Sequence, residues 1–167
     1  LYAYEWFDVV PDILTTAKAL GGGFPIAATL TKSAIADSLK VGTHGSTWGG
    51  NPLGCSVANA VLDIIGDPIF LGKVSEKRKR FNHGLQLINQ KFKIFDEIRG
   101  LGLLIGCSLS PKWRDKSREI MTAGQNEGVF ILAAGSNVLR LGPSLIITDD
   151  DIDEGLSRLD KAISTVI

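Results

Sequence analysis

Leu14-Thr15-Thr16-Ala17-Lys18-Ala19-Leu20-Gly21-Gly22-Gly23-Phe24-Pro25 is the stretch on which the reading of this chain turns. An apolar, β-prone run from Ile13 to Ala17 stops at a lysine, and three glycines follow. Beyond Pro25, the residues Ile26-Ala27-Ala28-Thr29-Leu30-Thr31 resume in strand-like order. A lysine ending a strand inside a core loses part of its hydration, which lowers its pKa and exposes a nucleophilic amine. Such an amine suits Schiff-base chemistry, and glycines let backbone approach a flat molecule closely. On composition alone, a surface lysine beside a flexible turn accounts for the same residues.

Downstream, residues 32–40 read as a short helix. The run Val41-Gly42-Thr43-His44-Gly45-Ser46-Thr47-Trp48-Gly49-Gly50-Asn51-Pro52 then shows no periodicity and reads as a loop. Its hydroxyls and free N–H groups at Ser46, Thr47 and Gly49 suit a phosphate. It matches neither GxxxxGK[ST] nor GxGxxG, and a structural turn explains it equally well. From Leu53 the period becomes helical, with Leu53, Val57, Ala60, Val61, Ile64 and Ile65 on one face and Gly66 as the stop.

Asp67-Pro68 has the form of an N-cap with proline at the first helical position. The spacing of Leu71, Val74, Arg78, Phe81, Leu85, Ile88 and Phe92 predicts a long amphipathic helix behind it. Strands are expected over 94–98, 103–109, 129–132, 138–141 and 145–148, and helices over 112–127 and from Asp149 onward. Ile152, Leu156, Leu159, Ile163 and Val166 form the core face of the last helix. Arg140 lies between apolar strand residues, where its fork suits either a carboxylate ligand or a structural partner within the chain. The alternation places the chain in the α/β class, with an antiparallel-leaning α+β module after about residue 67.

Composition narrows the function classes. In 167 residues, Lys+Arg 18 balance Asp+Glu 18, so no basic field favours nucleic acid or an anionic membrane. Apolar residues at 44% can fill a core. No run approaches the ~18–20 apolar residues of a membrane-spanning helix. Cys55 and Cys107 have no metal-like spacing and read as buried, reduced thiols of a reducing, cytoplasmic compartment. With only His44 and His83 as histidines, no metal site is expected. The opening, Leu1-Tyr2-Ala3-Tyr4, reads as a sequence entered partway through.

Four segments together resemble the class III aminotransferases that depend on pyridoxal phosphate. They are the lysine–glycine stretch, the loop from His44 to Leu53, Phe95-Asp96-Glu97-Ile98-Arg99-Gly100-Leu101-Gly102-Leu103-Leu104-Ile105-Gly106, and Leu139-Arg140-Leu141-Gly142-Pro143-Ser144-Leu145. Within that class the chain is most similar to acetylornithine and succinylornithine aminotransferases. The resemblance implies the C-terminal part of a fold-type I transferase. Residues 1–66 would end the large cofactor domain and its exit helix, and 67–167 would form the small C-terminal α+β domain.

The same resemblance implies residue roles. Lys18 matches the lysine that forms the Schiff base with the cofactor. Thr47 matches the threonine that binds the cofactor phosphate of a neighbouring subunit, which implies a homodimer with shared active sites. Ser46 matches a contact to the acylated ornithine, and Arg140 the arginine pairing with the substrate α-carboxylate. The reaction implied moves the terminal amino group of N-acetylornithine or N-succinylornithine to 2-oxoglutarate, in arginine and ornithine metabolism. Alternatives are ornithine or 4-aminobutyrate aminotransferase, or a non-catalytic chain that only dimerises or scaffolds. Trp48 stands where the family usually has Tyr or Phe, and Ala27-Ala28 replaces the more usual Gly-Ala. Asp8 and Asp12 do not match the family's acidic partner of the pyridine nitrogen, which precedes Leu1 in the family's order.

Overall fold

The computed structural model describes all of residues 1–167. The chain divides into two compact units, Leu1–Leu71 and Gly72–Ile167.

In the first unit, β1 (Ile13–Thr16) and β2 (Ala28–Thr31) pair antiparallel, with Ile13 opposite Thr31 and Thr16 opposite Ala28. Asp12 closes the open end of this ribbon. Its carbonyl accepts the Thr31 hydroxyl at 3.0 Å, and its carboxylate pairs with Lys32 at 2.6 Å. β2 starts two residues later than the apolar run suggests. Ile26 is spent elsewhere: its side chain lies beside Gly21, where a Cβ would be 2.8 Å from Ile26 Cγ2. A short helix α1 covers only Ser33–Ala36. Beyond it, the Ser38 hydroxyl donates to the Ile35 carbonyl at 2.7 Å, a local bond that competes with helix propagation.

Helix α2 (Pro52–Ile65) follows the glycine loop. Its buried positions are Gly54 and Ala58, while Leu53 and Ile64 are 63% and 60% exposed. The covered face is therefore rotated from the one expected through Leu53, Ala60 and Ile64. The cause is its neighbour: α2 packs against the glycine turn, with Val61 Cγ2 3.0 Å from where a Gly22 Cβ would stand.

The second unit is an antiparallel four-stranded sheet with order β3-β4-β6-β5 and helices on one face. The strands are β3 (Phe95–Arg99), β4 (Ile105–Leu109), β5 (Leu132–Ala133) and β6 (Val138–Leu141). Helix α3 (Pro68–Phe92) starts at an Asp67 cap, whose Oδ1 accepts the Ile69 N–H at 2.6 Å. Val74, Phe81, Leu85 and Ile88 then form its buried stripe. Helix α5 (Asp149–Val166) starts where Thr148 Oγ1 accepts the Asp151 N–H at 3.1 Å. Ile152, Leu156, Leu159 and Ile163 are buried as its period requires. Burying each such aliphatic side chain stabilises by about 1.5–3 kcal/mol. Arg80 of α3 donates to Asp153 of α5 at 2.7 Å and holds that carboxyl below the usual carboxylate range.

Three expected segments differ. The helix expected over 112–127 is α4, Ser117–Asn126, because Pro111–Trp113 forms a 3-10 turn and Asp115 is left-handed at φ 67. The Val129 N–H closes the end of α4 on the Gly124 carbonyl at 2.8 Å, so β5 starts only at Leu132. Residues 145–148 are no strand. Ser144 gathers them into a turn, its carbonyl accepting the Ile147 N–H at 3.1 Å and its hydroxyl the Ile146 N–H at 3.3 Å. The thiols differ as well. Cys107 is buried on β4, and burial pushes it up to about 12, whereas Cys55 is exposed on α2.

Candidate active site

Lys18 opens a 3-10 turn, Lys18–Gly21, directly after β1. Its backbone is left-handed, φ 52, a region that favours glycine. A side-chain-bearing residue held there costs of order 1–3 kcal/mol unless its surroundings over-determine it. They do so here. The Leu20 N–H donates to Ala17, Gly22 to Ala19 and Phe24 to Gly21, at 3.1, 3.2 and 2.9 Å. Gly21 is buried, and Gly22, itself at φ 56, lies hard against Val61. The glycines thus let the turn seat on α2 while Lys18 stays outside.

The expectation that Lys18 is withdrawn from water is not met within this chain: the residue is exposed. β1 pairs only with β2, so no further strand covers the ribbon's end. Asp12, the nearest acidic residue in sequence before Lys18, is occupied by Lys32.

The glycine loop is fastened to the same helix. Asn51 Oδ1 accepts the Gly54 N–H at 2.8 Å and caps α2, while Asn51 Nδ2 donates to the Trp48 carbonyl at 3.0 Å. Ser46 Oγ accepts the Gly49 N–H at 3.1 Å. These bonds shape the tight turn on which the exposed Ser46 and Thr47 stand. The ring of Phe24 meets the first turn of α2, with Cε1 3.4 Å from where a Gly54 Cβ would stand. The lysine turn, through Gly22 and Phe24, and the hydroxyl loop therefore both pack on α2. Asn51 was not among the residues singled out in the sequence, although Asn-Pro ahead of an apolar period is a helix-start signal.

Arg140 belongs to the second unit. It is central in the sheet, opposite Gly106 of β4 and Leu132 of β5. Leu139 and Leu141 point into the core, so Arg140 alternates onto the exposed face. There it borders an open cavity of about 630 Å³ that Leu132, Pro143, Ile147 and Arg158 also line. None of the chain's ion pairs uses Lys18 or Arg140. The structure thus joins Lys18, Ser46 and Thr47 in one unit and carries Arg140 in the other.

The family model described as Aminotransferase class-III matches residues 1–163. The chain belongs to that family. The class-III chain is 51% identical to the acetylornithine aminotransferase of Pseudomonas putida over 166 residues, 99% of this chain and 41% of that protein. It is 52% identical to the succinylornithine transaminase/acetylornithine aminotransferase of Pseudomonas aeruginosa, covering 100% of this chain and 41% of the relative. The crystal structure of N-acetylornithine aminotransferase from Stenotrophomonas maltophilia K279a superposes with a TM-score of 0.89 at 39% identity, over 99% of this chain and 43% of that one. The class-III chain therefore spans about two fifths of the length of the proteins it matches.

Proposed function

We propose that the polypeptide containing this chain is a pyridoxal-phosphate-dependent aminotransferase. It moves the terminal amino group of N-acetylornithine or N-succinylornithine to 2-oxoglutarate in arginine and ornithine metabolism. The observation that carries the reading is the match over residues 1–163 to the class-III family and the 51–52% identity to acetylornithine-type aminotransferases, with Lys18 held at a left-handed backbone outside the glycine turn that seats on α2. Backbone strain at a residue of reactive chemistry is a mark of functional sites.

The residues present fit part of the cofactor. The Lys18 amine suits its aldehyde carbon, and the Thr47 hydroxyl on its fastened loop suits the phosphate. Thr47 serves the phosphate of a neighbouring subunit, so the working protein is a homodimer with shared sites in the cytoplasm. When bound, pyridoxal phosphate supplies an electron sink for the carbon that bears the amino group.

The protein's own work is placement and proton movement. With the cofactor bound, the free Lys18 Nζ would take the proton from the substrate's amino-bearing carbon and later return it, as base and then acid. Arg140 receives the substrate α-carboxylate through two parallel N–H bonds, which fixes the end of the molecule that reaches Lys18. Ser46 contacts the acylated end of the donor. Residues 1–66 would complete the cofactor domain, and 67–167 would form the small domain that carries Arg140.

Steady-state kinetics of the full-length protein on N-acetylornithine, N-succinylornithine and free ornithine test this reading. It requires kcat/KM for an acylated donor to exceed that for ornithine by at least about tenfold, a difference of ~1.4 kcal/mol in transition-state binding. Preference for the free amine overturns it.

A further inference from the structure

Helix α3 carries the charged run Glu76-Lys77-Arg78-Lys79-Arg80, whose cations divide into two kinds. Lys79 pairs with Glu76 at 2.8 Å and Arg80 with Asp153, on the exposed side. Lys77 and Arg78 are half-buried and pair with no carboxylate. Each donates to a main-chain carbonyl instead. Lys77 Nζ reaches Leu145 at 3.0 Å, and Arg78 Nη1 reaches Gly102 at 3.3 Å.

The two carbonyls flank one end of the sheet. β4 begins at Ile105 and β6 ends at Leu141, and these residues lie opposite each other. Gly102 belongs to the turn that enters β4, and Leu145 to the segment that leaves β6. Successive residues of α3 therefore tie down both connections at the end of β6 that carries Arg140.

The segment 142–147 depends on such a tie. Pro143 has no N–H to give to a neighbouring strand. Ser144 takes the N–H groups of Ile146 and Ile147 into its own turn, so no sheet ladder holds these residues. The Lys77 bond reaches across 68 residues of sequence and fixes the middle of the segment to α3. A charged donor makes it stronger than a neutral one. Pro143 and Ile147 border the same open cavity as Arg140, and so does Phe81, one turn along α3 from Lys77. Lys77 itself does not line that cavity.

We propose that Lys77 is a positioning residue for the substrate carboxylate: through the Leu145 carbonyl it fixes the 142–147 wall beside which Arg140 presents its donors. The proposal rests on the reading of Arg140 as the carboxylate partner and deepens it. Without the tie, the segment has to be ordered at each binding event. The loss falls on ligands that use the Arg140 fork, because a bidentate pair depends on orientation.

The test is equilibrium binding to the full-length protein, by calorimetry, of N-acetylnorvaline and of N-acetylnorvalinamide. The first is the acetylated donor without its terminal amine, and the second lacks the carboxylate as well, so neither readout requires transamination. Lys77→Met is expected to weaken the acid at least about fivefold and the amide less than about twofold. Lys77→Arg, which keeps a cationic donor, should restore the acid. Lys77→Met combined with Arg140→Gln should bind the acid no more weakly than Arg140→Gln alone, since Lys77 acts through Arg140. Acid affinity lost in Arg140→Gln but kept in Lys77→Met overturns the role of Lys77 and leaves that of Arg140 standing. Equal losses of acid and amide, or additive losses in the double variant, also overturn it. A wild-type protein that does not bind the acid, or an Arg140→Gln protein that binds it unchanged, refutes the reading of Arg140 and this proposal with it. Should Lys77→Met fail to fold, Lys77→Gln, with a shorter reach, is held to the same results.

Discussion

Asn51 Oδ1 accepts the backbone N–H of Gly54 at 2.8 Å, and this one bond sets both the start of α2 and the exit of the Ser46–Thr47 loop. Removing the cap leaves an orphan N–H at the helix start. Asn51→Ala should cost about 1 kcal/mol of stability. Because the Trp48 carbonyl then keeps only the Asn51 backbone N–H, at 3.3 Å, the loop is held less firmly and the full-length protein should bind pyridoxal phosphate more weakly. Asn51→Asp keeps the cap and should recover most of the stability. Urea unfolding and absorbance titration with the cofactor measure the two effects.

The β3–β4 turn depends on Gly100. It sits at φ 119, and a Cβ there would overlap the Leu104 carbonyl oxygen. Gly100→Ala should destabilise by at least about 1–3 kcal/mol from backbone strain alone. Denaturant midpoints of the two proteins give the difference, and a neutral result would contradict the turn geometry.

Alkaline pH should act through Cys107. Its folded thiol is pushed up to about 12 by burial, against an ordinary value of 9.0. Between those values the unfolded chain has lost the proton and the folded chain keeps it, so stability falls as pH rises. The slope is up to about 1.4 kcal/mol per pH unit, and it should disappear in Cys107→Ala. Urea unfolding at pH 8, 9 and 10 measures it. A Cys107→Ala protein with an undiminished alkaline slope would contradict this assignment.

If, as proposed, sites are shared between two subunits, a complementation experiment has a definite outcome. In a heterodimer of Lys18→Ala with Thr47→Ala, an exchanged arrangement leaves one site with both Lys18 and Thr47 intact. Mixing the two unfolded chains and refolding should then restore about a quarter of wild-type activity, by random pairing of a twofold dimer. If each subunit uses its own Thr47, no intact site forms and no recovery occurs.

The long helices were the most legible part of the chain. Val74, Phe81, Leu85 and Ile88 on α3, and Ile152, Leu156, Leu159 and Ile163 on α5, are buried as their spacing requires. The mixed α/β class and family membership also follow from motifs in unbroken order. What failed depends on tertiary neighbours. The covered face of α2 is chosen by Gly22 and the turn it packs on, which periodicity does not contain. The run 145–148 is apolar enough for a strand, yet Ser144 takes its N–H groups into a turn. Cys55 reads as buried among small residues but stands on the open side of α2. In the site, the motif identified Lys18, while its left-handed backbone is visible only in three dimensions.

The most direct measurement is borohydride treatment of the full-length protein with pyridoxal phosphate, followed by peptide mapping of the pyridoxyl group. Attachment to Lys18, and its loss in Lys18→Ala, is the predicted result. A pyridoxyl group on any other lysine, with Lys18 unmodified, would contradict the account.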